Sequence, residues 1–168
     1  LEIDGPTQGG QSLKFQLITV PGQIERNYRR KPLIEMADVV VFVCDSSPAN
    51  VPDTIRTFAR LRTSMKARET PVPLVVQVNK QDVRGALRPA KLKRKLGLEA
   101  DVTLVPASAV TGQGGAETPR SAVRLGVRAM AGSAIEALPA AFANADALFD
   151  HVLTFEDEPK NDLVEVEE

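Results

Sequence analysis

The sequence predicts an α/β domain in which a mostly parallel sheet carries helices on both faces. Three short apolar runs rich in valine indicate the strands of this sheet: residues 38–45, 73–79 and 102–106. Continuous runs of this kind are typical of parallel strands that are covered on both faces. A turn and a helical pattern follow each run, and this alternation favours right-handed crossovers between parallel strands.

Length and composition fit one ordinary domain. The chain has 168 residues, of which 43% are apolar and 26% charged, and this excludes a wholly disordered, collagen-like or disulfide-rich protein. The longest apolar stretch, residues 37–44, is far shorter than the roughly 20 residues that span a bilayer, so we expect no membrane span. The single cysteine, Cys44, can form no internal disulfide, which favours a cytoplasmic location. In a valine-rich strand it is expected to be a buried packing residue and not a nucleophile.

The charges are unevenly distributed along the chain. Residues 156–168 hold seven acidic residues and one lysine, whereas the rest of the chain holds 20 basic and 15 acidic residues. The mildly basic body can attract phosphate-bearing ligands, but aromatic residues make up only 4% of the chain, so we expect no nucleic-acid partner. A zinc site built from Cys and His is not expected either, because the chain has one residue of each kind.

The predicted elements begin with a hairpin. Leu13, Phe15 and Leu17 alternate with polar residues, as in a half-buried strand. A short run at residues 1–4 precedes them, and a polar loop at 5–12 joins the two segments. The strands of the parallel sheet follow this hairpin.

Three helices are predicted after the hairpin: residues 53–68, 89–96 and 115–130. Pro52 helps to set the start of the first helix, and Gly97 ends the second. Residues 133–153 carry a further apolar stripe that Pro139 kinks or restarts. The acidic segment 156–168 is expected to be a disordered tail.

The main chemical motif is the tetrapeptide NKQD at residues 79–82, directly after the second valine-rich run. Ligands of open α/β sheets bind at the carboxyl ends of strands. The Asp82 carboxylate can accept hydrogen bonds from N1–H and the exocyclic amine of guanine, whereas adenine offers no matching donor pair. Lys80 can lie along the ring and the ribose, and Asn79 can tether neighbouring loops. The alternative interpretation is a polar turn with an Asn or Asp cap.

Two further motifs follow predicted strands. Residues 107–109 (ASA) come after the third run, where a backbone N–H could bind the guanine carbonyl. Residues 19–23 (TVPGQ) end the first long strand. A glycine there lets the backbone N–H approach a γ-phosphate, and the next glutamine can orient a hydrolytic water. Taken singly, these motifs are also compatible with an ordinary loop and a Pro-Gly turn.

In this order, and each at a strand end, the three motifs resemble the later guanine-nucleotide motifs of Ras-like small GTPases. Within that superfamily, TVPGQ followed by VVVFVCDSS is most similar to the bacterial gliding-motility and polarity (MglA-like) group. The resemblance covers about residues 1–130. It implies a G-domain fold of the P-loop NTPase type, GTP and Mg²⁺ as ligands, a GTP/GDP switch and, often, a roadblock-type activating partner.

The resemblance also implies roles for single residues. The residues that would bind the guanine base are Asn79, Lys80, Asp82, Ser108 and Ala109. Gly22 would contact the γ-phosphate and Gln23 would position water. The segment from Ile24 to Pro32 would be the mobile second switch, through which regulators or effectors bind.

Two departures from the superfamily pattern affect these expectations. Thr19 stands where most Ras-like proteins carry an Asp that helps to hold Mg²⁺ through water, and a hydroxyl is a weaker aid to a cation. No GxxxxGK[ST] phosphate loop occurs in the 168 residues. Several charge-assisted hydrogen bonds of roughly 1.5–3 kcal/mol each would then be missing, so this chain alone is expected to bind GTP poorly.

We therefore expect that the chain is a fragment and that the first strand and the P-loop lie before Leu1. The alternative is a domain that lacks the P-loop and serves as a non-catalytic scaffold. The predicted regions are a partial G domain at 1–131, a helical extension at 132–155 and the acidic tail at 156–168.

Overall fold

The computed structural model describes residues 2–8, 11–19 and 27–133. The elements in chain order are β1 (Glu2–Gln8), β2 (Gln11–Gln16), α1 (Asn27–Met36), β3 (Val40–Asp45), α2 (Val51–Lys66), β4 (Leu74–Asn79), α3 (Pro89–Leu96), β5 (Thr103–Pro106) and α4 (Glu117–Ser133). The chain divides into two compact units, of which one includes the hairpin β1–β2 and the other extends from Thr19 to Leu138.

The hairpin pairs β1 and β2 antiparallel, with Ile3 opposite Phe15. The sequence predicts this hairpin, but the loop predicted over 5–12 is wrong at both ends, because the pairing continues to Gln8 opposite Gln11. The register shifts between Asp4 and Thr7, around the Gly-Pro pair. A bulge at this point absorbs the proline, which has no N–H for the ladder.

The larger unit contains a three-stranded sheet in the order β3-β4-β5, and both pairings are parallel. Val40 lies opposite Leu74, and the register continues without a shift to Asp45 opposite Asn79. β4 is the central strand, and its Val75, Val76 and Val78 are fully buried. The predicted α/β fold with a parallel sheet is therefore confirmed.

Helices cover both faces of this sheet. On one face, α2 and α3 pack against β3 and β4 through a single apolar cluster: Phe42, Cys44, Phe58, Val76, Val78, Leu92 and Leu96. The rings of Phe42 and Phe58 are tilted, with their centroids 5.3 Å apart. On the other face, the Gln77 side-chain amide donates to the hydroxyl of Thr118 in α4, at 2.9 Å.

The helix α2 begins at Val51, two residues before its predicted start. Backbone N–H groups of Asn50 and Val51 donate to the Ser47 carbonyl and close a turn that runs into the helix. The Thr54 hydroxyl also donates to the Asp45 carbonyl at 2.8 Å, so the first turn of α2 is attached to the end of β3.

The helix α3 has the bounds that the sequence predicts, with Pro89 in its first turn. Gly97 ends it with a φ of +61°, which glycine adopts without a Cβ penalty. The N–H of Leu98 donates to the Lys93 carbonyl and that of Gly97 to the Arg94 carbonyl. These two bonds form a Schellman motif.

The sequence analysis predicts no helix over α1, and Pro32 in its interior removes a hydrogen-bond donor. A tertiary contact holds the carboxyl end of this helix. The Arg68 guanidinium, beyond the end of α2, donates to the carbonyls of Ile34 and Ala37, the latter at 2.9 Å. It therefore satisfies carbonyl groups at the carboxyl end of α1, which have no partner within the helix.

The C-terminal predictions lie mostly outside the described residues. The helix α4 runs to Ser133, across the predicted boundary between 131 and 132 and three residues beyond its predicted end. The rest of the predicted extension to 155 and the whole acidic tail are not among the described residues. In the described part of the chain, no helix is long and apolar enough to cross a membrane.

Candidate functional site

The carboxyl ends of β3 and β4 lie side by side, because Asp45 is opposite Asn79 in the parallel register. The segments that leave these strands contact each other: the Ser46 N–H donates to the Asn79 carbonyl at 3.2 Å. The segment after β5 joins them, since the Gln81 N–H donates to the Ala107 carbonyl at 3.0 Å. One edge of the sheet thus brings together the NKQD and ASA motifs.

Asn79 connects two of these segments. Its Oδ1 accepts a hydrogen bond from the Lys80 N–H at 2.8 Å and another from the Ala109 N–H at 3.1 Å. The side chain therefore fixes the turn that follows β4 and also attaches the loop that follows β5. This is the tether between neighbouring loops that the sequence analysis describes.

A buried polar network joins the segments that follow β3 and β4. Ser46 is fully buried, and its hydroxyl donates to the Asn79 carbonyl. The Gln81 side-chain amide donates to the Ser46 hydroxyl at 2.8 Å and to the Leu87 carbonyl at 3.0 Å. Because buried polar groups are costly unless they are paired, this network favours one arrangement of the loops. Sequence analysis assigned no such role to Ser46 or Gln81.

Lys80 occupies an unusual backbone position. Its φ is +65°, which is uncommon for a residue with a side chain. Its Nζ lies 2.8 Å from Oδ2 of Asp45, and about half of the lysine side chain is exposed. The lysine of the NKQD motif is therefore paired with a carboxylate at the end of the neighbouring strand.

Asp45 is a site residue that the sequence analysis did not single out, although its place at a strand end next to β4 could have indicated it. Its Oδ1 accepts hydrogen bonds from the N–H and hydroxyl of Ser47, and its Oδ2 accepts one from the Asn50 side chain at 2.8 Å. Burial by itself would raise the pKa of Asp45, but the hydrogen bonds from Lys80, Ser47 and Asn50 outweigh it and lower the pKa to about 2.

Asp82 differs from Asp45 in that its carboxylate forms no hydrogen bond or ion pair with any described residue. It is exposed, in a turn that the Val83 N–H closes by donating to the Lys80 carbonyl at 3.1 Å. Both carboxylate oxygens are acceptors. The site therefore offers one exposed carboxylate at the carboxyl edge of the sheet that is not paired with a described residue.

The loop after β5 is fixed by its own hydrogen bonds. Ser108 is buried, its N–H donates to the Gln113 carbonyl at 2.9 Å, and its hydroxyl accepts from the Thr111 N–H at 3.3 Å. The Ala109 N–H donates to Asn79. Both backbone amides that the sequence nominates for the guanine carbonyl are thus paired within the protein, and a ligand carbonyl would have to share or replace one of these bonds.

Cys44 lies directly before Asp45 but takes no part in the polar site. The thiol is buried and donates to the Gln77 carbonyl at 3.2 Å. Burial, supported by the nearby negative charge of Asp45, raises the pKa of the thiol to about 12. At neutral pH the thiol is therefore protonated, and it acts as a packing residue, as its sequence context predicts.

The residues assigned to the phosphate side of the ligand are largely outside the described part. Gly22 and Gln23 are not among the described residues, and Thr19 is described as exposed and irregular. Of the segment from Ile24 to Pro32, residues 27–32 form the first part of α1. Within 2–8, 11–19 and 27–133, no three His, Cys, Asp or Glu side chains are grouped so that they could hold a metal ion.

Known proteins are similar to the part of the chain that carries these motifs. The model of the ADP-ribosylation factor family matches residues 7–122. The mutual gliding-motility protein MglA of Myxococcus xanthus is 29% identical over 119 residues, which are 69% of this chain and 60% of that protein. Translation initiation factor IF-2 of Prochlorococcus marinus is 29% identical over 121 residues, which are 67% of this chain and 10% of that protein. The chain therefore spans less than two thirds of the length of either relative.

Two glycines in the loop after β5 allow a matched test of its packing. Gly112 and Gly114 have similar φ values, +78° and +72°. A Cβ at Gly112 would meet no atom within 4 Å, whereas one at Gly114 would lie 2.4 Å from the Pro106 carbonyl oxygen. We expect Gly112→Ala to cost about 1 kcal/mol of unfolding free energy. Gly114→Ala should cost a further 1 to 3 kcal/mol or so, because backbone must move. Urea unfolding measures both, and equal costs would contradict the close approach.

The lowered pKa of Asp45 predicts a dependence of stability on pH. The folded state has the lower pKa, about 2 against a usual 3.8, so the stabilisation is complete above about pH 5 and is lost as the pH falls towards 2. After a discount for solvent screening, it amounts to about 1 to 2 kcal/mol. Wild type should therefore exceed Asp45→Asn in stability at pH 5 to 7, and the difference should shrink between pH 4 and 2. A difference that stays constant over this range in urea unfolding would refute the assignment.

Proposed function

The chain belongs to the ADP-ribosylation factor family, and we propose that the protein which contains it is a GTP-binding switch that hydrolyses GTP to GDP with the aid of Mg²⁺. The family match assigns a small-GTPase-like domain to this chain. Binding of a guanine nucleotide follows from that family in general terms. The roles of single residues, the hydrolysis and the regulators are our proposal.

The observation that carries the proposal is the meeting of the NKQD and ASA motifs at one edge of the sheet. Asn79 and Gln81 hold the loops through internal hydrogen bonds, whereas Asp82 keeps both carboxylate oxygens free of described partners. This division suits a preformed site in which internal polar groups set the shape and one exposed carboxylate recognises the ligand.

Guanine fits the donor and acceptor groups of this site. The Asp82 carboxylate would accept hydrogen bonds from N1–H and the exocyclic amine of the base, which adenine cannot supply. Lys80 would lie along the ring and ribose. Ser108 and Ala109 would border the base at its carbonyl, where the Ala109 N–H would be shared with Asn79 or released from it. Discrimination of this type reaches on the order of 10⁴-fold, because a mismatched buried polar group stays unpaired.

The hydrolytic part of the proposal concerns residues before α1. Gly22 would bring its N–H to the γ-phosphate, and Gln23 would orient the attacking water, so catalysis would be positional and electrostatic. Mg²⁺, when bound, would neutralise phosphate charge, and Thr19 is proposed as an indirect contact. Residues 1–131 are the proposed partial G domain, 132–155 its helical extension and 156–168 the acidic tail.

Regulators and effectors, with a roadblock-type activator among the candidates, are proposed to bind the segment from Ile24 to Pro32. Residues 27–32 of this segment form the first part of α1, and Lys31 and Pro32 are exposed. Arg68 holds the carboxyl end of α1, so a rearrangement would take place in the residues before it. The single cysteine, which can form no internal disulfide, supports the proposed location in the cytoplasm.

A second candidate is a non-catalytic interaction domain with the G-domain shell. The observation in its favour is that Lys80 and the N–H groups of Ser108 and Ala109 are already paired within the protein. These groups therefore have hydrogen-bond partners without a ligand. Nucleotide binding by the full-length protein separates the two candidates.

The base-recognition role of Asp82 gives a direct test. In the full-length protein, Asp82→Ala should abolish the preference for GDP over ADP and xanthosine diphosphate, a loss of at least about 100-fold in selectivity. The control is Asp101→Ala, since Asp101 is an exposed carboxylate before the amino end of β5. Dissociation constants for the three nucleotides provide the measurement.

Each outcome of this experiment points to one conclusion. An unchanged preference in Asp82→Ala would reject the base-pocket assignment. A wild-type protein that binds none of the three nucleotides would favour the interaction domain.

A further inference from the structure

None of the roles assigned to the motif residues uses the ion pair between Asp45 and Lys80. A lysine side chain has four rotatable bonds, and a half-exposed one ordinarily samples many rotamers. Here Nζ is held 2.8 Å from Oδ2 of Asp45. The position of the Lys80 ammonium is thus set by a residue of a different strand.

Asp45 is itself rigidly held. It is the last residue of β3, paired with β4 in the continuous parallel register. Its Oδ1 is occupied by the N–H and hydroxyl of Ser47, and the Asn50 amide reaches Oδ2 beside the lysine. With Ser47 and Asn50 fixing both oxygens, the carboxylate can hold a cation at a defined point.

Lys80 is fixed at its backbone as well as at its ammonium group. The Asn79 side chain accepts from the Lys80 N–H at 2.8 Å and supports its positive φ of 65°. Two residues at the ends of adjacent strands therefore hold the two ends of Lys80. This arrangement removes rotamer freedom before any ligand binds, and preorganisation of this kind increases affinity.

We propose that Asp45 is a positioning residue, which holds the Lys80 ammonium in place for the base and ribose of the guanine nucleotide. The inference rests on the proposed function. Asp45 acts only through Lys80, and the pair also neutralises the aspartate charge that would otherwise face an anionic ligand. The role requires a negative charge at the end of β3 and a partner lysine directly after β4.

The test is a double-mutant cycle in the full-length protein, with GDP as the probe. Asp45→Asn keeps the shape of the side chain and should weaken GDP binding about tenfold, and Lys80→Ala should weaken it by a similar factor. In the Lys80→Ala background, Asp45→Asn should change the dissociation constant by less than about twofold, because the partner through which Asp45 acts is gone.

The matched control is Asp53→Asn. Asp53 is an exposed aspartate near the start of α2 that pairs with Arg56 and does not contact Lys80. This variant loses the same charge and should leave GDP binding unchanged.

A milder variant keeps the proposal testable if Asp45→Asn does not fold. Asn50→Ala removes one hydrogen bond to the Asp45 carboxylate but no helix cap, because the Asn50 side chain makes no capping bond to α2. It should weaken GDP binding by about two- to threefold, and this loss should also disappear in the Lys80→Ala background.

An equal effect of Asp45→Asn with and without Lys80 would overturn the proposal, as would GDP affinity that does not change in Asp45→Asn. Failure of the proposed function looks different, since wild type itself would then bind no GDP. In that case the acetylation rate of Lys80, followed by mass spectrometry, still tests the pairing. A faster acetylation rate in Asp45→Asn than in wild type supports the proposal that Asp45 holds the Lys80 ammonium in place. Equal rates overturn that proposal.

Discussion

The parallel register of β3, β4 and β5 is the constraint on which the site depends. Asp45 lies opposite Asn79 and Val78 opposite Pro106, so the three strands end at one edge and their loops meet there. The register is specified by burial, because Val76 and Val78 lie in the cluster beneath α2 and α3. A slip by one residue would turn these side chains to the other face and separate Asp45 from Lys80.

The loops at this edge divide their polar groups between two tasks. Ser46, Asn79 and Gln81 use their side chains inside the protein, where three of their hydrogen bonds join segments that are distant in the chain. Lys80 and Asp82 keep their charged groups at the surface. The internal bonds offset the cost of burying polar groups, and they leave the exposed charges on a rigid support. A ligand would therefore meet a site that is already formed.

Sequence reasoning succeeds where the information is local. Valine-rich runs identify the strands of the parallel sheet, and Pro89 and Gly97 give the bounds of α3. It fails where long-range contacts decide. The helix α1 contains Pro32 and is held by Arg68 from the far end of α2. The pairing of Asp45 with Lys80 follows from strand register, which the sequence pattern does not contain.

The central claim, that this edge of the sheet is a guanine-base pocket, is tested most directly by a crystal structure of the full-length protein with GDP. The account predicts N1 and the exocyclic amine of the base within about 3 Å of the Asp82 carboxylate, with Lys80 still paired to Asp45. A base bound elsewhere, or an Asp82 carboxylate that remains exposed to solvent beside a bound nucleotide, would contradict it.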